Sequence, residues 1–493
     1  MSSLPLSRHA ASLATKRRLR RWTLKQVAEV ARAAWCIPPR LERKEVEAKP
    51  VLGACLDTRT LRAGEVFIAL PGAQRDGHEF IGEAQAHGAA ACITRLEKSP
   101  QDEADAGGPM LLVTDPEAAL REWGLSRRAA WTGTCIGVTG TNGKTTTKDL
   151  LTLCLETKAT THSTEGNQNN HLGVPLTLTE LSDDHVFAVV EMGMNHPGEI
   201  AQLASWAQPQ SGIITHVGHG HLEGVGSFEG VCRAKAELAS ALPEDGFLVL
   251  PAGVDVLERI LDETGVSARR LRFAAEVGTP ADLVARDLTS LGPAGITFRV
   301  EDTLVRLRLS GLHNVENALA AMLCAREMGV PLADSAGALS RAVPKAGRME
   351  VVTIGGVVLL LDHYNANPES MQAALETLRA WPAGRRFAVL GEMRELGAHR
   401  EEGHRAVGEA AQFVDGLFLV GEATAHVAKG AVASGLREER VRGFASNSEL
   451  AETLAAELRS GDAVLLKASR GARLEEVERV LRERLRAGGG EGS

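Results

Sequence analysis

Gly137-Val138-Thr139-Gly140-Thr141-Asn142-Gly143-Lys144-Thr145 is the stretch on which the fold turns. Cys135, Ile136 and Val138 lead into it as an apolar run, and Thr146, Thr147 and the helical spacing of Leu150, Leu151, Cys154 and Leu155 lead out. That order spells strand, glycine loop, helix N-terminus. Such a loop aims backbone N–H groups and the positive end of a helix dipole at one point, which suits a phosphate chain. Gly140 and Gly143 permit close approach, Lys144 can reach terminal phosphates, and Thr145 can hold a magnesium ion. The strict phosphate-loop pattern asks for glycine at 138, where this chain has valine, so the loop is a variant. A tight turn between strand and helix, with no ligand, is the alternative reading.

A chain of 493 residues is too long for one ordinary core, which predicts roughly two to four domains. Apolar residues at 44% and charged residues at 24% fit a soluble globular protein. A net charge of −8 argues against nucleic acid as a partner. The seven cysteines are scattered, with no Cys-x-x-Cys pair, which predicts reduced thiols and a cytoplasmic location. Apolar runs such as Val357–Leu361 are far too short for membrane insertion. Lys16, Arg17, Arg18, Arg20 and Arg21 give residues 1–21 a basic character without an apolar segment behind it. A disordered extension is expected there, with a transit peptide as the alternative.

The pattern predicts an α/β fold in three domains. Residues 22–104 form a small α/β domain, with strands at Val66–Leu70 and Ala89–Thr94, a helix at Phe80–His87, and a linker-like stretch at Ser99–Gly108. Residues 105–346 form a central, mostly parallel domain. There the loop strand is joined by strands at Val186–Val190 and Gly212–Thr215 and by a small antiparallel ribbon between Ile296 and Leu309. Residues 347–493 look Rossmann-like, with strands at Val357–Leu361, Phe387–Leu390, Leu417–Val420 and Ala463–Lys467. A closing helix there carries Leu474, Val477, Leu481 and Leu485 on one face. No strand of that domain is followed by Gly-x-Gly-x-x-Gly, so a whole dinucleotide is not expected there.

Several further groups could carry chemistry. Glu191 closes a strand beside the loop, where a magnesium ligand would sit, or else it caps the next helix. His216, His219 and His221 follow another strand and invite a zinc reading, but the further ligands and barrel that reading needs are not evident. Lys235 lies on a helix, where a lone lysine is usually a solvated charge. Asn314 and Asn317 share one helix face and could read a base or cap the helix. Arg348 sits in a glycine-flanked turn from which it could meet a γ-phosphate. Asp362-His363-Tyr364-Asn365-Ala366-Asn367-Pro368-Glu369-Ser370 is dense in hydrogen-bonding groups, and Lys467, Ser469 and Arg470 suit a carboxylate.

Together these motifs resemble the Mur ligases of bacterial cell-wall synthesis, over Trp22 to about Leu485. Thr139–Thr146 matches the superfamily loop, folylpolyglutamate synthases included, and explains the missing glycine. More specific are Asp57-Thr58-Arg59, Gly166–Asn170, Glu191–Ile200 with Asn195 and His196, His221–Ser227, and above all Tyr364-Asn365-Ala366-Asn367-Pro368-x-Ser370. The last string favours the branch that adds D-alanyl-D-alanine to UDP-N-acetylmuramoyl-tripeptide.

The resemblance implies an ATP- and magnesium-dependent amide ligase working through an acyl phosphate, and a monomer is expected. Asp57, Thr58 and Arg59 would lie near the uracil, and Asn167, Asn169, Asn170, Asn195 and His196 near the muramoyl peptide. Gly140, Thr141, Asn142, Gly143, Lys144, Thr145 and Thr146 would cradle the phosphates. Thr145 and Glu191 would bind magnesium, and His221 with a carbamylated Lys235 would serve a second ion. Asn314 and Asn317 would approach the adenine, Asp362 the ribose, and Arg348 the γ-phosphate. Tyr364, Asn365, Asn367, Ser469 and Arg470 would face the dipeptide. His363, Glu392 and Ala468 depart from residues usual in the family. A sibling ligase, a kinase-like ATPase and a binding module are the rival readings.

Overall fold

The computed structural model describes residues 21–72, 75–98, 107–220, 222–275 and 278–488. The expectations for residues 1–20 and for His221 lie outside the described residues.

One compact unit runs to Gly133 and includes Pro175–Val186. Its five-stranded sheet has the order Ala34–Cys36, Met110–Val113, Ala91–Arg95, Val66–Ile68 and Ala54–Cys55, all parallel except the first. This moves the expected boundary at 104. The strand Met110–Val113 is the second member of this sheet, and the helix Pro116–Ala130 follows it within the same unit. The linker-like residues 99–106 lie outside the described residues, and the strands on either side of them in the chain, Ala91–Arg95 and Met110–Val113, are parallel neighbours in one sheet, so no domain ends there. Asp115 caps that helix by accepting from the N–H groups of Glu117 and Ala118, and Pro116 takes its first turn.

The second unit holds the rest and contains two sheets. The larger has nine strands in the order Thr303–Leu307, Ile296–Val300, Leu283–Ser290, Arg269–Ala274, Phe247–Pro251, Ser211–Ile214, Thr134–Thr139, Phe187–Glu191 and Thr161–Ser163. The loop strand Thr134–Thr139 runs parallel to both neighbours, Phe187–Glu191 and Ser211–Ile214, which both follow it in the chain. Chain order reverses at this point, and the crevice outside the strand C-termini there is where ligands bind in open α/β sheets. The alternating residues Ile296, Phe298, Val300, Val305 and Leu307 are buried, as their period of two predicts. The ribbon is not a separate insert, however, because Leu283–Ser290 pairs with it on one side and with the parallel strands on the other. The helix Lys144–Leu155 buries Leu150, Leu151, Cys154 and Leu155 in a core shared with the apolar helix Leu312–Glu327.

The second sheet of this unit has six strands, ordered Glu350–Ile354, Val357–Leu361, Ala463–Lys467, Arg386–Gly391, Gly416–Val420 and Val441–Phe444. Its four expected strands are parallel, and Glu350–Ile354 and Val441–Phe444 extend the two edges. Separate cores cover its faces, and Leu474 together with Val477, Leu481 and Leu485 of the following helix Glu475–Gly488 fill one of them. All seven cysteines are buried. Among the described residues no helix is long and apolar enough to cross a membrane.

Candidate active site

Thr134–Thr139 is a full strand, so Val138 belongs to the sheet and the loop starts only after it. That is the physical reason a valine is tolerated where longer phosphate loops place glycine. The turn closes at Gly143, whose φ of +79° is left-handed, and the helix begins at Lys144. A Cβ at 143 would stand 2.1 Å from Oδ1 of Asn317, so only glycine fits. Asn317 is itself held. Thr147 Oγ1 donates to its Oδ1 at 3.2 Å, its Nδ2 donates to Asn314 Oδ1 at 3.1 Å, and Asn314 Nδ2 donates to the Ser310 carbonyl at 2.7 Å. The two asparagines border the cavity, yet this chain of bonds uses their amides to pin the loop onto the helix Leu312–Glu327.

The loop opens on a cavity of about 1030 Å³. Lys144, half-buried, donates from Nζ to the carbonyls of Gly140 and Thr141 at 2.9 and 3.2 Å. Burial lowers its pKa, and the nearby Arg348 adds to the effect against the opposing field of Glu191. Glu191 ends its strand as expected. Its backbone N–H donates to Thr164 Oγ1 at 3.0 Å, and its Oε1 accepts from Asn169 Nδ2 at 2.7 Å. The other carboxylate oxygen, Oε2, is buried without a hydrogen-bond partner among the described residues. An oriented carboxylate with one bare oxygen, bordering the same cavity as Thr145, fits a hard divalent cation. Among the described residues no three His, Cys, Asp or Glu side chains form a metal cluster. Magnesium, which keeps water and phosphate ligands, requires fewer protein ligands than that.

Lys235 is not a solvated surface charge. It is fully buried in the helix Phe228–Ser240, and its Nζ has no hydrogen-bond partner among the described residues. Burial first, and Lys144 second, hold its pKa well below the usual lysine value, which favours the neutral amine. His219 pairs its Nδ1 with Glu369 Oε1 at 2.5 Å, and its N–H donates to the same oxygen at 2.7 Å. His216 and His313 are kept neutral by burial, the latter pushed down to about 4.

From the second sheet of the unit come Arg348, Asp362, Tyr364 and Asn365, all bordering the cavity. The Arg348 guanidinium lies 4.0 Å from the Tyr364 ring centroid, and that of Arg470 lies 5.4 Å from it. Asp362 accepts from Lys467 Nζ at 2.5 Å and from the Met349 N–H at 3.1 Å. Lys467 is therefore buried in service of Asp362 and is not free for a carboxylate. Ser469 likewise uses its hydroxyl internally, accepting from the Arg394 N–H at 3.0 Å. Asn367 caps the helix Pro368–Arg379 and exchanges two amide hydrogen bonds with Asn142 of the phosphate loop, at 2.7 and 3.1 Å. Asn167, Asn169, Asn170, Asn195 and His196 line another part of the wall. Asp57, Thr58 and Arg59 belong to the first unit, where Asp57 pairs with Arg59 and has its pKa lowered by that contact.

One wall has no counterpart among the sequence motifs. Leu288, Ile296, Leu312, Ala373, Thr377 and Trp381 make an apolar surface suited to the face of an aromatic base. Ala373 and Thr377 share a helix face at spacing four, but that spacing alone cannot separate a cavity wall from an ordinary core.

Three family profiles match the chain. The Mur ligase family catalytic domain covers residues 52–126, the Mur ligase middle domain 138–325, and the Mur ligase glutamate ligase domain 347–470. The UDP-N-acetylmuramoyl-tripeptide–D-alanyl-D-alanine ligase of Bacillus subtilis is 33% identical over 94% of this chain and 98% of its own. The Escherichia coli protein of that name is 34% identical over 87% and 93%. A crystal structure of MurF from Acinetobacter baumannii superposes with a TM-score of 0.78 at 30% identity, covering 94% of this chain and 99% of that one. MurF from Thermotoga maritima, solved with ADP, gives a TM-score of 0.72 at 29% identity, covering 88% and 98%.

Proposed function

Because this chain belongs to the Mur ligase family, we propose that its cavity joins D-alanyl-D-alanine to UDP-N-acetylmuramoyl-tripeptide, with ATP converted to ADP and phosphate. The enzyme is an ATP-dependent ligase that forms a C–N bond and yields the pentapeptide precursor of peptidoglycan. The observation that carries the reading is one cavity bordered by the phosphate loop, the bare oxygen of Glu191, Arg348 and the Tyr364–Asn365 segment.

A carboxylate is a poor electrophile. The terminal carboxylate of the tripeptide therefore attacks the γ-phosphorus, a new O–P bond forms, the bond to ADP breaks, and an acyl phosphate results. Lys144 and Arg348 offset charge on the transferring phosphoryl oxygens, and the backbone N–H groups after Gly140 hold the rest of the phosphate chain. Magnesium, held by Thr145 and Glu191, supplies further charge neutralisation when bound. The neutral amine of the dipeptide then attacks the acyl carbon, and phosphate leaves from the tetrahedral intermediate carrying a former carboxylate oxygen. Asp362 receives the ribose, and the apolar wall with Leu312 and Trp381 receives the adenine. Asn167, Asn169, Asn170, Asn195 and His196 meet the muramoyl peptide, and Tyr364, Asn365, Asn367 and Arg470 the dipeptide. Asp57, Thr58 and Arg59 hold the uracil end from the first domain.

Lys235 suits carbamylation: it is a buried amine whose pKa is lowered by burial, without a hydrogen-bond partner among the described residues. Its carbamate would serve a second magnesium together with His221. The protein acts as a cytoplasmic monomer, in keeping with seven buried cysteines without a Cys-x-x-Cys pair.

Tripeptide nucleotide labelled with oxygen-18 in its terminal carboxylate tests the chemistry. Heavy oxygen is expected in the released orthophosphate. Pentapeptide accumulating beside unlabelled phosphate would rule out the acyl phosphate. Omitting D-alanyl-D-alanine, or replacing it with single amino acids, separates this ligase from its siblings and from a simple ATPase.

A further inference from the structure

The turn Lys345–Met349, which carries Arg348, is gripped by the segment Asp362–Tyr364 at several points. The Tyr364 N–H donates to the Gly347 carbonyl at 3.0 Å, and the Met349 N–H donates to Asp362 Oδ1 at 3.1 Å. Buried Met349 has a φ of +53°, a conformation that a non-glycine residue keeps only where its surroundings enforce it. Between these two bonds lies His363. Its ring packs so closely on Gly347 that a Cβ there would stand 3.2 Å from both Cε1 and Nδ1.

The far side of the same ring is also engaged. His363 Nε2 lies 2.8 Å from Glu478 Oε2, on the helix Glu475–Gly488 that closes the chain's last sheet. One turn along, Arg482 Nε donates to Glu478 Oε1 at 2.6 Å. Its guanidinium also stands 3.8 Å from Glu350, which begins the strand after the turn. Only 12% of the His363 side chain and 18% of that of Glu478 is exposed, so solvent does little to loosen the pair. The chain thus runs from a rigid helix through His363 to the backbone of the residue preceding Arg348.

We propose that His363, wedged between Glu478 and Gly347, is a positioning residue that fixes where the Arg348 guanidinium stands. Arg348 is stacked on Tyr364 on one side and has its turn seated by His363 on the other. A shielded pair of this kind contributes more to geometry than to net stability. The inference rests on the reading of Arg348 as a γ-phosphate ligand.

The full-length enzyme with His363→Ser, Glu478→Gln, Arg348→Lys and the two double variants with Arg348→Lys tests this. His363→Ser and Glu478→Gln should each lower kcat/KM for ATP about ten-fold or more, since small misplacements of a catalytic group have that effect. KM for D-alanyl-D-alanine should hold. In the Arg348→Lys background neither substitution should add a further loss, because both act through the same guanidinium. Full activity of Glu478→Gln, which keeps its shape and decides the matter if His363→Ser does not fold, would overturn the proposal. So would losses that multiply in the double variants. If Arg348→Lys is as active as the wild type, the role given to Arg348 falls and the brace falls with it. An impaired Arg348→Lys beside an unimpaired Glu478→Gln removes the brace alone.

Discussion

The Lys144 ammonium donates to two carbonyls of its own loop, so the loop and its cation are already assembled as one unit. Replacing Lys144 with alanine should cost at least the ~3–4 kcal/mol typical of one well-placed transition-state donor, read as a fall in turnover by ADP release. Near-normal turnover would count against the whole site. Lys235 presents the opposite case, a buried amine without a hydrogen-bond partner among the described residues. Carbon-13 bicarbonate should give a carbamate resonance in the wild type that is missing from Lys235→Ala. His313 supplies a test through pH. In the folded chain its ring stays neutral down to about 4, whereas an unfolded histidine protonates below its ordinary value near 6.5. Between those values the unfolded state binds more protons, so stability falls as pH drops through the window. His313→Gln should flatten that part of the stability curve by about 1–3 kcal/mol, measured by urea unfolding at pH 7 and pH 4.5.

At the level of strands and helices, the phosphate loop and its helix could be read from Cys135–Leu155 because they are local. Strand, glycine turn and helix each leave a periodic trace within a few residues. The four buried strands of the last sheet were legible for the same reason. The edge strand Val441–Phe444 was not, since its residues are only partly covered and show no run of apolar character. The boundary misplaced at 104 has a similar origin, because polar composition marks any surface loop, whether it joins domains or neighbouring strands. The amide chain through Ser310, Asn314, Asn317 and Thr147 needed the fold, as Thr147 and Asn317 are 170 residues apart. Asn367 shows what such an element depends on. Its side chain accepts from the Ser370 N–H while its amide meets Asn142, so Asn367→Ala should cost about 1–2 kcal/mol in urea unfolding and lower ATP turnover as well. A variant with unchanged stability would show that the cap is dispensable.

On the scale of the whole molecule, the second unit builds its cavity from elements of two sheets that meet in part through polar contacts. Among these are the Asn142–Asn367 pair, the His219–Glu369 pair and one bond from the Glu223 N–H to the Glu395 carbonyl. Contacts of this kind can part and re-form, which suits a site that must admit three substrates and then exclude water. Magnesium and a non-hydrolysable ATP analogue should slow amide hydrogen exchange in 140–147 and in 362–370 together. Protection confined to the first segment would show that the second sheet takes no part in holding the nucleotide. Burial of every thiol carries a practical consequence of its own. Alkylating reagents should leave the native chain unlabelled and mark it only as it opens, and desolvation of Cys92 and Cys154, each raised to about 12, strengthens that contrast. Mass added by iodoacetamide over time therefore reports opening of the five-stranded and nine-stranded sheets, around which all seven cysteines lie, without any engineered label.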